Sequence, residues 1–313
     1  MKLAFNGMNS GLGNNGGTRT ILKCAEVLNK LGHRCNIVVK VDNFTNFKNE
    51  FVIKFVPNDL DAIINIAAVD IPSTLTLQIP KKAWYIRGHE SWANSDEKLI
   101  NYYKNNKIKN VVNSVGLKQL LAMYGADSVV VYQGLDFELW EDRKLRKDNV
   151  VRIGCLYQSK STKRWKDFVK LSRILGNDGY EYVAFGTSTP PDISFLKEFK
   201  LNANVNDLND LYSSCDIWFA PTILEGLHNV PMEAALCGCL IVCGDYPMNG
   251  MIYDYAIKDN TAMVYDKDDV ENAAELIRNP NLELVSRMKN YLRNNIGTRK
   301  DNMKRLIKLL EDM

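Results

Sequence analysis

The residues best suited to chemistry are two glutamates, Glu225 and Glu233, which stand eight positions apart in the second half of the chain. An apolar run at 216–220 predicts a strand before Glu225, and Pro231 suits the first turn of a helix carrying Glu233. Free N–H groups at such a helix start favour a diphosphate. A carboxylate beside them can accept paired hydrogen bonds from ribose hydroxyls. The spacing therefore predicts a nucleotide diphosphate site.

A glycine-rich loop at 11–16 follows the first predicted strand and matches G-x-G-x-x-G. With Asp42 after the second strand, it is compatible with a nicotinamide or flavin dinucleotide. The loop runs several residues past the strand, however, and Asp42 lies beyond the usual spacing of about 20 residues. A flexible surface loop is a second interpretation. In a third, Gly16 and Gly17 let the backbone approach a ligand, and the helix from Thr18 offers free N–H groups.

Histidine and cysteine supply two further candidates. His89 follows a predicted strand and should face the ligand, although an ordinary loop histidine in polar contacts is equally compatible. The cysteines at 237, 239 and 243 accompany His228 but lack the paired C-x2-C spacing of zinc sites. We therefore expect buried thiols and no metal site.

Strands alternate with helices along both halves of the chain, which predicts parallel sheets covered on both faces. The alternation breaks at 141–149, where seven of nine residues are charged, and then restarts. A charged loop within one domain is the alternative to an interdomain linker. We predict two doubly wound α/β domains, 1–145 and 150–297, with the helix at 298–313 a candidate to complete the first.

The composition of the chain excludes several classes of protein. The 313 residues carry 40 Lys and Arg against 37 Asp and Glu, a net charge of +3, which disfavours a histone-like binder. A hydrophobic fraction of 46% with 25% charged residues excludes general disorder. No apolar run approaches a membrane span. Seven cysteines without a secretion signal indicate reduced thiols, so we expect a cytoplasmic protein with at most peripheral membrane contact.

The stretch from Glu225 to Gly238 combines Glu-x7-Glu with Ala-Ala-x-Cys-Gly and an apolar strand. It resembles the retaining glycosyltransferases of the GT-B fold, specifically family 4. Further pieces resemble that family in order and spacing, at 16–19, 31–33, 133–136, 153–163, 211–212, 215–216 and 220–221. The resemblance implies two Rossmann-like domains facing a central cleft, and transfer of a sugar from a nucleotide-diphosphate sugar.

The resemblance also implies roles for individual residues. Glu225 would contact the donor sugar and Glu233 the nucleotide ribose. Lys163 would bind the diphosphate, and His89 would approach the donor sugar. The other expected donor-binding residues are Arg164, Gly186, Thr187, Gly226, Leu227, His228, Asn229 and Val230, and the expected acceptor or phosphate loop is Gly16, Gly17 and Thr18.

Three positions depart from the family pattern. Cys155 stands where an arginine is usual, Arg164 follows Lys163 where a glycine is usual, and His228 replaces a small glycine. Arg164 or Lys160 is a candidate for the missing second positive charge. We expect His228 to alter the pocket beside the donor sugar.

The implied reaction retains the anomeric configuration. The acceptor attacks from the leaving-group face, and the diphosphate takes its proton. Lys163 and backbone amides at 227–230 would stabilise the leaving group. The scheme requires no metal and no cofactor besides the donor.

Four functions follow as alternatives. A glycosyltransferase acting on a saccharide or lipid-linked glycan comes first. The second is the same chemistry on a DNA base, as in phage DNA-modifying enzymes. The third is an NAD(P)-dependent oxidoreductase that uses the loop at 11–16, and the fourth is an inactive sugar-binding module.

The charge is unevenly divided along the chain. Residues 1–140 carry 16 basic and 12 acidic side chains, a net charge of +4, and the remaining residues carry 24 and 25, a net charge of −1. The acceptor half therefore suits an anionic acceptor or a membrane surface.

Overall fold

The computed structural model describes residues 1–13, 15–45, 50–146 and 149–313. Its backbone forms two compact units, Met1–Leu135 with Gly297–Met313, and Asp136–Ile296. Each unit is built on its own parallel sheet. The predicted α/β class is confirmed. In the described residues, no helix is long and apolar enough to cross a bilayer.

The first unit has a seven-stranded sheet in the order β3-β2-β1-β4-β5-β6-β7. Its strands are β1 (Lys2–Asn6), β2 (Arg34–Val38), β3 (Val52–Ile53), β4 (Ala62–Asn65), β5 (Lys81–Ile86), β6 (Lys109–Val112) and β7 (Val129–Val130). Its first four α-helices are α1 (Gly16–Lys30), α2 (Ile71–Thr76), α3 (Asp96–Tyr103) and α4 (Val115–Met123). In the register of the central strand, Leu3 lies between Cys35 and Ala62. These apolar strands form the inner layer that α1 covers.

Helix α1 begins at Gly16, two residues before the predicted start. The Asn15 side chain caps it by accepting a hydrogen bond from the Thr18 N–H, at 2.9 Å. The apolar side chains of α1 recur at helical spacing and pack into the core of the first unit, and Ile21 and Leu28 have no exposed surface.

The last helix, α10 (Arg299–Glu311), belongs to the first unit. It buries Met303, Leu306 and Leu310 in the same core as α1. The chain returns beside Gly134, where a Cβ would lie 2.4 Å from the Arg299 backbone, so only glycine fits. The first unit is therefore assembled from two separate pieces of sequence.

The second unit has a six-stranded sheet in the order β10-β9-β8-β11-β12-β13. Its strands are β8 (Val151–Tyr157), β9 (Tyr180–Gly186), β10 (Glu198–Leu201), β11 (Ile217–Ala220), β12 (Leu240–Gly244) and β13 (Met263–Tyr265). Its helices are α5 (Trp165–Leu175), α6 (Val205–Ser214), α7 (Asn229–Leu236), α8 (Val270–Arg278) and α9 (Glu283–Tyr291), with a π-helical turn at Leu292–Ile296. Because all strands run parallel, the segments after β8, β9, β11 and β12 emerge at one edge.

The charged stretch at 141–149 is attached to the second unit, where the sequence predicted a linker. The Arg143 guanidinium donates to Asp210 at 2.6 Å, and Arg146 donates to the Cys237 carbonyl at 2.9 Å. The units divide between Leu135 and Asp136, ahead of the predicted 145–150. Residues 147 and 148 lie outside the part of the chain that the structure describes.

Candidate active site

At the carboxyl edge of the second sheet, Lys163 and Glu225 form an ion pair. Lys163 ends the 3₁₀ turn Ser161–Lys163 after β8 and is only 5% exposed. Glu225 lies in the loop between β11 and α7, with its side chain 29% exposed. The structure thus brings together two residues that the sequence assigned to one site.

Helix α7 begins directly after this loop. His228 is its N-cap residue, and its side chain does not cap the helix. In the described part of the chain, the N–H groups of Gly226, Leu227 and Val230 donate to no protein acceptor. Unpaired N–H groups at a helix start favour an anion, and here they follow directly after Glu225, the partner of buried Lys163.

Glu233 occupies the second turn of α7. The hydroxyl of Tyr212, from α6, donates to its carboxylate at 3.4 Å. Glu233 remains partly exposed, so the carboxylate can accept hydrogen bonds from a ligand.

A second loop, at 245–256 after β12, is hydrogen-bonded to the Glu225–His228 segment. The Glu225 N–H donates to the Met248 carbonyl at 2.8 Å, and the His228 N–H donates to the Gly250 carbonyl at 3.1 Å. The Tyr255 hydroxyl donates to the His228 carbonyl at 2.5 Å. Of the amides at 227–230 predicted to meet a leaving group, that of His228 is therefore occupied.

Gly250 lies tightly against the Glu225–His228 segment. Its φ is +69°, and a Cβ there would lie 2.9 Å from the Gly226 carbonyl oxygen and 3.0 Å from the His228 nitrogen. Both the left-handed backbone and the lack of space require glycine. Sequence reasoning missed this loop; the one available signal was the pair Asn249 and Gly250, which is typical of turns.

The imidazole of His228 is buried, with 4% of the residue exposed. Neither ring nitrogen has a hydrogen-bond partner in the part of the chain that the structure describes. Burial, followed by the positive charge of Lys163, holds the pKa of His228 well below its usual value of 6.5. The ring is therefore neutral.

Arg164 does not join the ion pair. Its backbone is left-handed, with φ 51°, and its guanidinium donates to Asp167 and Asp268. It also lies over the ring of Tyr246, 5.5 Å from the centroid. Two carboxylates already balance this charge, so the predicted diphosphate contact would require their release. Lys160, the other candidate, is exposed.

Gly186 ends β9, and Thr187 follows it, at the same edge of the sheet as Lys163. Gly186 is buried, and a Cβ there would lie 2.8 Å from the Tyr157 carbonyl oxygen. Thr187 is exposed. The predicted contact of these two residues with a nucleotide remains a prediction.

The predicted glycine loop lies in the first unit, beside a cavity of about 480 Å³. The Gly17 carbonyl accepts a hydrogen bond from half-buried Arg87 at 2.6 Å, and a Cβ on Gly17 would lie 2.9 Å from the same nitrogen. Because Asn15 accepts the Thr18 N–H, that amide is not free, contrary to the prediction. Within the G-x-G-x-x-G match, Asn14 lies outside the described residues.

Two other predictions concern the first unit. The ring nitrogens of His89 contact the Tyr103 hydroxyl at 3.1 Å and the Asp96 carboxylate at 3.0 Å. A contact with a donor sugar would therefore replace one of these bonds. Asp42, proposed as a ribose ligand of a dinucleotide, accepts the Phe44 N–H at 3.1 Å.

All seven cysteines are buried, and none forms a disulfide bond. Cys237 contacts the Asn209 side chain at 3.0 Å, and Cys239 contacts the Tyr212 carbonyl at 3.2 Å. Among the described residues, no group of three or more His, Cys, Asp or Glu side chains is arranged to hold a metal ion.

Comparison with known proteins bears on this site. Residues 151–279 match the family model described as glycosyl transferases group 1. The second unit contains a group 1 glycosyltransferase domain. That match covers β8 to α8 and includes Lys163, Glu225 and Glu233. The chain is therefore an enzyme that transfers a sugar. No curated protein sequence matches the glycosyltransferase.

Solved structures show that its fold is GT-B. Sucrose-phosphate synthase from Thermosynechococcus elongatus is similar with a TM-score of 0.79 and 11% identity, covering 100% of this chain and 98% of that one. Anabaena HepE in complex with UDP-glucose has a TM-score of 0.78 and 14% identity, with 100% of both chains covered. A glycosyltransferase from Rickettsia africae has a TM-score of 0.74 and 16% identity, covering 99% of this chain and 98% of that one.

Proposed function

We propose that this enzyme transfers a sugar from a nucleoside-diphosphate sugar, which binds at the start of α7. The observation that carries the proposal is the ion pair of buried Lys163 with half-buried Glu225, next in sequence to the unpaired N–H groups of Gly226, Leu227 and Val230. A lysine and a helix start together supply positive charge where a diphosphate would lie. The structures of Anabaena HepE with UDP and with UDP-glucose make uridine nucleotides the first donors to test.

In the proposed complex, Lys163 and the free amides bind the diphosphate, and Glu233 accepts hydrogen bonds from the ribose. Glu225 contacts the transferred sugar, and its carboxylate keeps Lys163 in place before the donor arrives. Gly186 and Thr187 lie where the nucleoside would extend along the sheet edge. Arg164 is the least suited of the predicted donor ligands, because Asp167 and Asp268 hold it.

The proposed transfer retains the anomeric configuration. The bond between the anomeric carbon and the diphosphate oxygen breaks as a bond to the acceptor oxygen forms on the same face. The acceptor proton passes to the departing diphosphate. Lys163 and the amides stabilise the charge that develops on the leaving group, and one such donor contributes about 3–4 kcal/mol in a hydrolase. No cofactor besides the donor enters this scheme.

For the acceptor, we propose a saccharide or lipid-linked glycan. WaaG, which has a TM-score of 0.73 and 11% identity, is described as involved in lipopolysaccharide biosynthesis. In the first unit, the loop at Gly16, Gly17 and Thr18 is our candidate acceptor loop, anchored by Arg87. Duplex DNA serves as the alternative acceptor in the test.

The donor proposal is tested by thermal shift with UDP-, GDP-, ADP- and TDP-sugars. A bound ligand raises the midpoint according to its concentration relative to Kd. We expect one base to stabilise the wild type strongly, and Glu233→Ala to lose most of that shift. Glu283→Ala, an exposed glutamate on α9, is the control. If no nucleotide sugar shifts the wild type, the proposed function fails. Product formation from glycans and from duplex DNA then identifies the acceptor class.

A further inference from the structure

At the start of α7, His228 carries a buried polar side chain that has reason to bind a ligand. It is 4% exposed, and neither ring nitrogen finds a partner among the residues described. A buried polar group without a hydrogen bond is costly, and natural proteins rarely retain one. An imidazole that packed only as an apolar group could be replaced without that cost.

Hydrogen bonds on both sides hold the backbone that carries this side chain. The His228 N–H is held by the Gly250 carbonyl at 3.1 Å, and its carbonyl is held by the Tyr255 hydroxyl at 2.5 Å. Gly250 leaves no room behind the loop. The backbone that carries the imidazole is therefore held in place before any ligand binds, and the ring lies close enough to Lys163 to respond to its charge, an arrangement that lowers the cost of binding.

The chemistry of the ring indicates what it would recognise. Because burial and the Lys163 charge keep it neutral, one nitrogen donates a hydrogen bond and the other accepts one. A sugar hydroxyl both donates and accepts, whereas a phosphate oxygen only accepts. A hydroxyl is therefore the better partner for a group with both capacities.

We propose that His228 is a specificity-determining residue that hydrogen-bonds a hydroxyl of the transferred sugar. The inference rests on the proposed function, since it needs a nucleotide sugar at the start of α7. It adds a side-chain contact that selects among donors by the position of one hydroxyl. A site built to bond a hydroxyl discriminates against the analogue that lacks it, because its polar groups are then left unpaired.

The test compares UDP, UDP-glucose and monodeoxy analogues of UDP-glucose by calorimetric titration, or the same series on whichever base the thermal-shift panel selects. The variants are His228→Phe, which keeps a ring without hydrogen bonds, and His228→Asn and His228→Gln, which place an amide near one or the other ring nitrogen. His33→Asn, in the first unit, is the control histidine.

We expect His228→Phe to weaken the binding of UDP-glucose about 3- to 10-fold, the effect of one hydrogen bond, while UDP binding stays unchanged. One deoxy analogue should bind the wild type more weakly than UDP-glucose, and His228→Phe should not distinguish the two. The Asn or the Gln variant should restore part of the preference. These amides also serve if the Phe variant does not fold.

Other results overturn the proposal. Equal weakening of UDP and UDP-glucose would place the imidazole at the diphosphate or in a purely structural role. Unchanged donor preference in all three variants would show that His228 contacts no sugar. Failure of the wild type to bind any nucleotide sugar would instead remove the proposed function itself, and this inference with it.

Discussion

The ammonium group of Lys163 is hydrogen-bonded to the carboxylate of Glu225, although 62 positions of sequence separate them. One residue follows β8 and the other follows β11, two strands that pair directly in the sheet. Glu225 is the one carboxylate partner of Lys163 among the described residues, and a buried lysine can exchange such a partner for another anion. The pair therefore shows how the site is held before a phosphate arrives.

Glu225→Gln should separate ligand-free stability from ligand binding. Removing the carboxylate leaves a buried ammonium group unpaired, so we expect a loss of about 2 kcal/mol, reduced from 3–5 kcal/mol because Glu225 is partly exposed. A nucleoside diphosphate should then stabilise the variant more than the wild type, since it replaces the lost anion. Turnover should fall at least 10-fold.

Thermal unfolding with and without UDP measures these effects. Glu271→Gln removes an exposed partner of Lys170 and should change stability by less than about 1 kcal/mol. A smaller UDP shift in Glu225→Gln than in the wild type would contradict the exchange of anions at Lys163.

Gly250→Ala should disturb the donor site through the backbone. Alanine in the left-handed region costs about 1–2 kcal/mol, and its Cβ would push the Gly226 carbonyl and the His228 amide. Gly179→Ala has a similar φ of +77° but open space around the Cβ, so it isolates the backbone term. We expect both variants to lower the melting midpoint and only Gly250→Ala to weaken nucleotide binding. Equal affinity in the two variants would show that the loop at 245–256 does not position the site.

The neutral His228 predicts a pH dependence of stability. Its pKa is lowered in the folded state, so as pH falls below about 6.5 the unfolded chain takes up a proton that the folded chain refuses. The wild type should lose up to about 1.4 kcal/mol of stability per pH unit below 6.5 relative to His228→Phe. Calorimetric midpoints of both proteins between pH 7.5 and 5.5 measure the difference, and all other groups cancel. A difference that stays constant over this range would contradict a buried neutral imidazole.

Arg87→Met should act on the acceptor loop without affecting the donor site. The guanidinium donates to the carbonyls of Gly17 and Ile66, and its loss should destabilise the first unit by about 2 kcal/mol or more. We expect the acceptor KM to rise while UDP affinity stays unchanged. Arg34→Met removes an exposed ion pair in the same unit and serves as the control. A change in UDP affinity with no change in acceptor KM would argue against the assignment of the loop.

Regular elements were predictable because their signals are local. The apolar spacing from Ile21 to Leu28 predicts α1, and the short apolar run before Glu225 predicts β11. The Glu225 and Glu233 spacing predicts a loop followed by a helix, and α7 confirms it. The sequence did not predict the edge strand β10 or the short helices α2 and α3. Elements this short are stabilised more by tertiary packing than by the spacing of their own apolar residues.

Tertiary partners explain the remaining differences. Arg164 looked available for a phosphate, but Asp268 reaches it from 104 positions away. The stretch at 141–149 looked like a linker because its charges have no visible partners in sequence, whereas Asp210 lies 67 positions beyond Arg143. The loop at 245–256 carries no periodic pattern, and its role depends on contacts with Glu225 and His228 that no local signal encodes.

The central claim is that a diphosphate binds between Lys163 and the free amides at the start of α7. The most direct measurement is a calorimetric titration of the wild type and Lys163→Met with UDP and UMP, or with the matching pair for the base that the panel selects. Lys166→Met, an exposed neighbour, is the control. We predict that the wild type prefers the diphosphate at least 10-fold and that Lys163→Met loses most of this preference, while Lys166→Met keeps it. An unchanged preference for the diphosphate in Lys163→Met would contradict the account.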